Sequence, residues 1–320
     1  MIQRQAVDDL LKAWQSSAGT LLSCEMLHNK DTVWLITMTR GEQLVLKEVG
    51  ARSEARRLAS YYPVWLHLAT CGIPVAVPFL SDDGSCFVTY RDTLYTLSPY
   101  LPAVTRVGEK HGFANENIGR AIGQLHQALA SYQGEMLSWH LNLLPWVFEQ
   151  VIPRVLTQVE VSQQARLEET LSDCELAMRQ AYTDLPEQYI HGDCHTGNLL
   201  VQDGQVVGFI DLDHLSLGPR IYDLGYLLAD QIKWFTHNRE QTRVWLQHFP
   251  AVLTGYEQVN GLSQQEKEAL WSVLLAVQLA MSDFASQHQA QALAELNLEV
   301  FYWFYEQKEE IAHRLAQTLG

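Results

Sequence analysis

The stretch of sequence that decides the fold is a polar loop followed by two strand-like runs: residues 189–201 read YIHGDCHTGNLLV and residues 202–213 read QDGQVVGFIDLD. Asp203-Gly204 between the two apolar runs is typical of a tight two-residue hairpin turn. Asp193 and Asn198 lie five residues apart on the loop that enters this hairpin, and Asp211 ends its return strand. We therefore expect the closed hairpin to deliver Asp211 next to Asp193 and Asn198.

These three side chains match the requirements of phosphoryl transfer. A carboxylate at Asp193 can accept the proton of an attacking hydroxyl, while the Asn198 amide and the Asp211 carboxylate can hold the Mg²⁺ ions that bridge the phosphates of ATP. Hard oxygen ligands suit Mg²⁺. The alternative is a structural hairpin whose carboxylates only cap turns, but the order of the motif elements favours phosphoryl transfer.

The spacing from Asp193 to Asn198 equals that of the protein-kinase catalytic loop, in which His-Arg-Asp is followed by four residues and Asn. Gly192 stands where that loop has Arg. With HGDCHTGN at 191–198, IDLD at 210–213 and GPRIYDL at 218–224, the chain resembles the aminoglycoside phosphotransferase and choline kinase family, whose motifs are HGDxHxxN, IDxD and GPxxxDL. The resemblance covers about residues 21–230 and is strongest around 189–225.

The resemblance implies an α+β, two-lobed, protein-kinase-like fold with a small antiparallel-sheet N-terminal lobe and a large, mainly helical C-terminal lobe. We expect the nucleotide-binding lobe at residues 1–98, a linker at 99–102, and the catalytic and substrate-binding lobe at 103–320. The implied cofactors are ATP and Mg²⁺.

The resemblance also assigns roles to single residues. It implies Asp193 as the catalytic base, Asn198 and Asp211 as metal ligands, and Asp223 and His191 as braces of the catalytic loop. Two further residues stay open. His195 either orients the loop through hydrogen bonds or is a structural histidine. Asp213 either contacts a second metal or a cationic substrate, or bonds loop amides.

Strand-like and helical patterns describe the N-terminal part of the chain. Thr32 to Thr39 and Gln43 to Val49 are rich in β-formers around a turn at Arg40-Gly41, which predicts a hairpin. A helix is expected from Ser53 to Ala69, with a kink or restart at Pro63.

Lys47 is the candidate phosphate-binding lysine of this lobe. It follows three apolar strand residues, and kinases use a strand lysine to grip the α- and β-phosphates of ATP. A buried ammonium needs an acidic partner. We expect that partner to be Glu54 on the following helix, and we expect the ammonium to face the nucleotide cleft.

Backbone groups from Ser98 to Leu101 are expected to meet adenine, with Ser98 and Tyr100 as the named contacts. The chain has no GxGxxG motif, and Leu27 to Thr32 takes the place of the phosphate-covering turn.

Composition limits the class of protein further. The chain has 320 residues, 47% of them hydrophobic, enough for two lobes with a sizeable core. A formal net charge of −15 argues against nucleic acid or a membrane surface as partner, since both select clustered Lys and Arg. Five scattered cysteines without a CxxC pair, and an N-terminus without a signal-like apolar core, predict a cytoplasmic protein.

Three functions remain in competition. The first is a kinase that phosphorylates a hydroxyl of a small molecule such as an amino alcohol, amino acid, sugar or aminoglycoside. The second is a bacterial stress-type protein Ser/Thr kinase, which needs an open groove near Asp193. The third is a catalytically silent nucleotide-binding structural protein. A helical pattern through residues 224–318 favours the first, because it can wall the acceptor site.

Overall fold

The structure is a computed structural model that describes residues 4–14, 20–27, 32–102, 105–106, 115–232 and 239–319. Its backbone divides into two compact units. The first unit is Met1–Val104 with Ser131–Ser138 and Val207–Asp213, and the second is Thr105–Ala130, Trp139–Val206 and His214–Gly320. The linker at 99–102 stays a prediction. The first unit also takes in two short segments from later in the chain.

The first unit is built on an antiparallel sheet with strand order β1-β2-β3-β5-β4. The strands are β1 (Leu21–Met26), β2 (Val33–Met38), β3 (Gln43–Ala51), β4 (Val88–Tyr90) and β5 (Thr93–Pro99). The predicted β2–β3 hairpin is confirmed, with Val33 opposite Lys47 in the register. Arg91 and Asp92 both have positive φ (54° and 73°), as a tight turn between β4 and β5 requires.

Among its described residues the first unit also has the helices α1 (Arg4–Leu11) and α2 (Ala55–Thr70). Alternate residues of β2 and β3 are buried, because a half-buried strand turns every second side chain inward. Trp14, Trp34, Ile36 and Leu46 join this core with the apolar face of α1. α2 continues through Pro63, so the expected restart of the helix there is wrong.

The second unit is mainly helical. Its helices are α3 (Glu116–Ser131), α4 (Leu143–Trp146), α5 (Ile152–Gln158), α6 (Val161–Tyr182), α7 (Ile221–Gln231), α8 (Arg239–Glu257), α9 (Gln264–Gln287), α10 (Gln291–Glu306) and α11 (Lys308–Leu319). A small sheet has the order β7-β11-β8, formed by Trp139–His140, Ser216–Pro219 and Glu187–Ile190. β9 (Leu199–Gln202) pairs with β6 (Thr105–Arg106). β10 (Gln205–Phe209) follows a turn in which Asp203 and Gly204 have positive φ.

Two glycines let α3 and α8 approach closely. A Cβ on Gly119 of α3 would collide with the carbonyl oxygen of Val252, and a Cβ on Gly255 of α8 would collide with that of Glu116. The spacing of Gly119 and Gly123 predicts such a contact between helices, and the structure identifies α8 as the partner.

Helix α9 is long and apolar enough to cross a membrane by length and composition. However, 78% of its most apolar 18-residue window is buried inside the protein. Such burial is typical of the central helix of a folded core. The helix begins with a capping box formed by Ser263 and Glu266.

Candidate active site

The loop after β8 is fixed by a buried carboxylate. Asp223 of α7 accepts a hydrogen bond from the His191 N–H (2.8 Å) at Oδ2 and from the Gly192 N–H (3.0 Å) at Oδ1. Gly192 has a φ of 78°, and a Cβ there would collide with the His214 carbonyl oxygen. Only glycine fits this turn, which explains why the position occupied by Arg in protein kinases is Gly here. The expected bracing by Asp223 is confirmed.

Asp193 and Asn198 meet at the centre of this loop. The Asn198 Nδ2 donates to the Asp193 carbonyl oxygen and to its carboxylate Oδ2, both at 2.8 Å. A 3-10 turn at Thr196–Asn198 bends the chain back so that the two side chains can face each other. Because the amide nitrogen faces Asp193, the amide oxygen is the atom of Asn198 left for a cation.

His195 shapes the same turn. Its Nδ1 accepts a hydrogen bond from the Gly197 N–H (3.0 Å), which caps the 3-10 turn, and its Nε2 lies 3.7 Å from Asp193 Oδ2. Since Nδ1 acts as the acceptor, we assign the proton of the neutral ring to Nε2. Of the two alternatives for His195, the structure supports the loop-orienting one. His191 acts similarly, as its Nδ1 accepts from the Asp193 N–H (3.3 Å).

Helix α7 contributes two further contacts that the sequence did not predict. Tyr226 forms a side-chain hydrogen bond with Asp193, and burial, then the charge of Asp193, raises the pKa of the phenol well above its usual value. The phenol therefore stays protonated and donates to the carboxylate. Asp230 accepts from the Thr196 N–H (3.1 Å) and from the Thr196 hydroxyl. Asp223, Tyr226 and Asp230 are spaced i, i+3 and i+7, which places them on one face of the helix.

In the first unit, Lys47 is held by two carboxylates. Its Nζ lies 2.8 Å from Asp211 Oδ1 and 2.9 Å from Asp213 Oδ1. Burial alone would lower the pKa of this ammonium, but the charges of Asp213 and Asp211 outweigh it and raise the pKa to about 12. The side chain is 22% exposed. Lys47 is therefore a fixed positive charge beside two carboxylates that could hold a cation.

The expected ion pair between Lys47 and Glu54 is wrong. Glu54 Oε2 instead accepts from Arg57 Nε (2.7 Å), and Arg57 Nη1 donates to the carbonyl oxygen of Asp213 (2.9 Å). Glu54 precedes the first turn of α2, and the Lys47 ammonium is paired instead with the carboxylates of Asp211 and Asp213. Glu54 is thus linked to the Asp211–Asp213 segment through Arg57, a residue that the sequence did not predict.

Backbone groups of the segment that carries Asp211 and Asp213 hold it within the first unit. The Phe209 N–H donates to the Pro74 carbonyl (2.8 Å), and the Trp65 Nε1 donates to the Leu212 carbonyl (3.4 Å). Asp211 itself has a φ of 60°, unusual for a residue with a side chain. Such backbone strain is found at functional sites, where the surrounding structure holds it in place.

The adenine contacts expected at Ser98 and Tyr100 stay predictions. The Tyr100 N–H donates to the Gln43 carbonyl (3.0 Å), and Ser98 is paired with Val45 in the ladder. Because hydrogen-bonding directions alternate along an antiparallel strand, the Pro99 carbonyl, at the end of β5, is turned away from β3. The expected phosphate-covering turn at 27–32 falls mostly on residues 28–31, which lie outside the described part of the chain.

Each unit has oxygen atoms of a kind that suits a hard divalent cation. The first unit has the Asp211 carboxylate and the second has the Asn198 amide oxygen, and both are ligand types that Mg²⁺ prefers. Cys194, next to Asp193, is fully buried and burial raises the pKa of its thiol well above the usual value, so it is neither an available nucleophile nor a soft metal ligand.

Comparison with known proteins agrees with this geometry. A family model described as the phosphotransferase enzyme family matches residues 28–262, so the chain belongs to that family. An amicoumacin kinase solved with AMP-PNP, Ca²⁺ and Ami has the same fold: the TM-score is 0.68 at 20% identity, over 97% of this chain and 94% of that one. The two-lobed, kinase-like α+β fold expected from the sequence is thereby confirmed.

Two curated relatives are similar in sequence. A homoserine kinase of Polaromonas naphthalenivorans is 27% identical over 221 residues, which is 67% of this chain and 66% of the relative. The stress response kinase A of Salmonella paratyphi A is 28% identical over 211 residues, 63% of this chain and 57% of the relative. The matched region thus spans just under two thirds of the first relative and little more than half of the second.

Proposed function

We propose that this chain transfers the γ-phosphoryl group of ATP to a hydroxyl of a small molecule in the presence of Mg²⁺. The observation that carries the proposal is the Asp193 carboxylate, held by the Asn198 amide on a loop whose own amides are bound by Asp223. A carboxylate oriented in this way is equipped to accept the proton of an attacking hydroxyl.

The other residues divide the remaining tasks. Lys47 carries the positive charge that grips the α- and β-phosphates, and the Pro99 carbonyl and Leu101 N–H receive adenine. Asn198 and Asp211 would hold Mg²⁺, which when bound neutralises charge on the phosphates. Tyr226 and Asn198 orient the Asp193 carboxylate toward the acceptor. Because phosphoryl transfer is mostly positioning and electrostatics, these roles are sufficient for catalysis.

The acceptor belongs to the class of small hydroxyl compounds that includes amino alcohols, amino acids, sugars and aminoglycosides. Similarity to a homoserine kinase supports this class. The helices α7 to α11, which offer walls for a small site, support it too. Similarity to stress response kinase A keeps a protein substrate as the second candidate. The acidic net charge and the similarity to kinases of this fold support a cytoplasmic location without nucleic acid or membrane partners.

ADP release tests the proposal. Purified protein with ATP and Mg²⁺ is assayed against homoserine, ethanolamine, aminoglycosides, simple sugars and a generic protein substrate. We expect turnover with a small hydroxyl compound, and a loss of about 100-fold or more in Asp193→Asn, which keeps the shape but accepts no proton. ATP binding should survive in that variant.

Asp203→Asn is the matched control, because Asp203 lies at a turn with a φ of 50° that asparagine also tolerates. It should keep wild-type turnover. Turnover only with the protein substrate would favour the second candidate. ATP binding without turnover of any substrate would favour the third function, a catalytically silent nucleotide-binding protein.

A further inference from the structure

His126 of α3 is fully buried, and both of its ring nitrogens have partners. Nδ1 lies 2.9 Å from the Tyr256 hydroxyl, and Nε2 lies 3.0 Å from Asp223 Oδ2. Asp223 and Tyr256 are themselves fully buried. A buried carboxylate needs its hydrogen bonds satisfied, and His126 supplies the side-chain donor to the carboxylate that holds the catalytic loop.

The partners determine which ring nitrogen carries the proton. Both oxygens of the Asp223 carboxylate accept backbone N–H groups, from His191 at Oδ2 and from Gly192 at Oδ1, so the carboxylate acts as an acceptor toward His126 as well. The proton of the neutral ring is therefore assigned to Nε2. Burial raises the pKa of the Tyr256 phenol well above its usual value, so its O–H stays available to donate to Nδ1. One consistent set of donors and acceptors then runs from Tyr256 through His126 to Asp223.

Tyr256 is in turn fixed by an ionic cluster. Asn260 Nδ2 donates to the Tyr256 hydroxyl at 3.3 Å, and Arg220 Nη1 donates to Asn260 Oδ1 at 2.6 Å. Arg220 also pairs with Glu266 at 2.6 Å, and this carboxylate is the one that caps α9. The chain of contacts therefore links the end of α8 and the start of α9 to the loop before Asp193.

We propose that His126 and Tyr256 are positioning residues for phosphoryl transfer. Tyr256 holds the His126 ring through Nδ1, His126 holds the Asp223 carboxylate through Nε2, and Asp223 holds the two amides that precede Asp193. The inference rests on the proposed function, because it assigns Asp193 the role of base. Both residues are fully buried, so they act through the loop. They determine the orientation of the Asp193 carboxylate and therefore affect kcat.

Two amide substitutions separate positioning from plain packing. His126→Gln places its side-chain nitrogen near the position of Nε2 and keeps a donor for Asp223. His126→Asn places its nitrogen near Nδ1, keeps the contact with Tyr256 and loses the donor to Asp223. Both variants remove the ring, so comparable losses of stability are expected. The two variants differ only in whether the side chain can donate a hydrogen bond to the Asp223 carboxylate.

We expect kcat of His126→Asn to fall about tenfold or more with the KM for ATP nearly unchanged, since a hydrogen bond to a charged group is lost. His126→Gln should keep kcat within about threefold. Tyr256→Phe should lower kcat to an intermediate value, because His126 keeps its bond to Asp223 but its Nδ1 loses the partner that holds the ring in place. Equal kcat values in the Gln and Asn variants overturn the role of His126, and an unchanged kcat in Tyr256→Phe overturns that of Tyr256.

Hydrogen exchange of the His191 and Gly192 amides gives a second readout that needs no turnover. Exchange of both amides should speed up in His126→Asn and stay close to wild type in His126→Gln. Equal exchange in the two variants overturns the inference. A wild-type protein that binds ATP but shows no turnover overturns the proposed function instead, and the exchange comparison still decides whether His126 holds the loop.

Discussion

Thr196 donates both its backbone N–H and its hydroxyl to one oxygen of Asp230, and both residues are buried (5% and 8% exposed). Asp223 binds the same loop five residues earlier, at His191. The segment that carries Asp193 and Asn198 is therefore held at both ends by carboxylates of one helix. Because of this double attachment, substitutions of Asp223 or Asp230 on α7 should change the position of the Asp193 carboxylate.

The first prediction concerns the anchor at Thr196. Asp230→Ala leaves two buried donors without an acceptor, which should lower the free energy of unfolding by about 1–3 kcal/mol. It should also lower kcat, because the loop between Asp193 and Asn198 loosens. Asp230→Asn keeps an oxygen acceptor and should lose much less of both. Denaturant unfolding and ADP release measure the two effects. Equal losses in the two variants would contradict the anchor role.

The second prediction concerns Asp211 and Mg²⁺. Asp211→Asn should remove most of the Mg²⁺-dependent tightening of ATP binding, because the amide cannot neutralise the cation that bridges the phosphates. Asparagine is chosen because it tolerates the φ of 60° at this position. Calorimetry with ATP, with and without Mg²⁺, gives the comparison. A Mg²⁺ effect as large as in the wild type would refute the ligand assignment.

The third prediction concerns the contact between α3 and α8. Gly119→Ala should destabilise the protein by about 1–3 kcal/mol, since the new methyl group would overlap the backbone of Val252. Gly261→Ala is the control, because the atom nearest to its added Cβ is the Glu257 Oε2, 3.7 Å away. Thermal unfolding of both variants tests the contact. A Gly119→Ala protein as stable as the control would show that the helices can separate.

The fourth prediction concerns pH. Burial alone would raise the pKa of Glu266, but its bonds to Arg220 and Ser263 outweigh burial and lower the pKa below its ordinary value of 4.5. A lowered pKa means that the paired carboxylate stabilises the fold above about pH 4.5 and that this contribution is lost as the pH falls through the folded value.

The free energy of unfolding should therefore differ most between wild type and Glu266→Gln near neutral pH. That difference should shrink below about pH 4.5. Glu268→Gln, at an exposed site on the same helix, is the matched control and should show little difference at any pH. A gap between wild type and Glu266→Gln that widens on acidification would mean that the sign of the pKa shift is wrong.

Much of the fold could be predicted from local sequence. Asp203-Gly204 and the strand-like runs before Lys47 identify hairpins, because turn residues and alternating burial act over a few positions. Asp193, Asn198 and Asp223 could be found because their spacing matches a known motif. Of the kink or restart expected at Pro63, the restart does not occur. A proline lowers the chance of a helix but does not forbid one, and α2 continues through it.

The contacts that sequence analysis missed are long-range ones. Lys47 pairs with residues 164 and 166 positions away, so Glu54, the acidic residue at the start of the following helix, is the wrong partner. His126 meets Asp223 from 97 positions away. A histidine on an apolar helix face gives no sign of its partner. Only the i, i+3, i+7 spacing of Asp223, Tyr226 and Asp230 carried a signal that a helical projection could have revealed.

That spacing also makes helix α7 a molecular ruler. Seven residues of α-helix rise about 10.5 Å, so the attachment points at Asp223 and Asp230 set a fixed length for the loop they hold. One residue inserted between them would rotate the second anchor by about 100° and carry it off the shared face. Natural or designed variation in the length of the 191–196 loop is therefore tied to the length of this helix, and engineering of one requires redesign of the other.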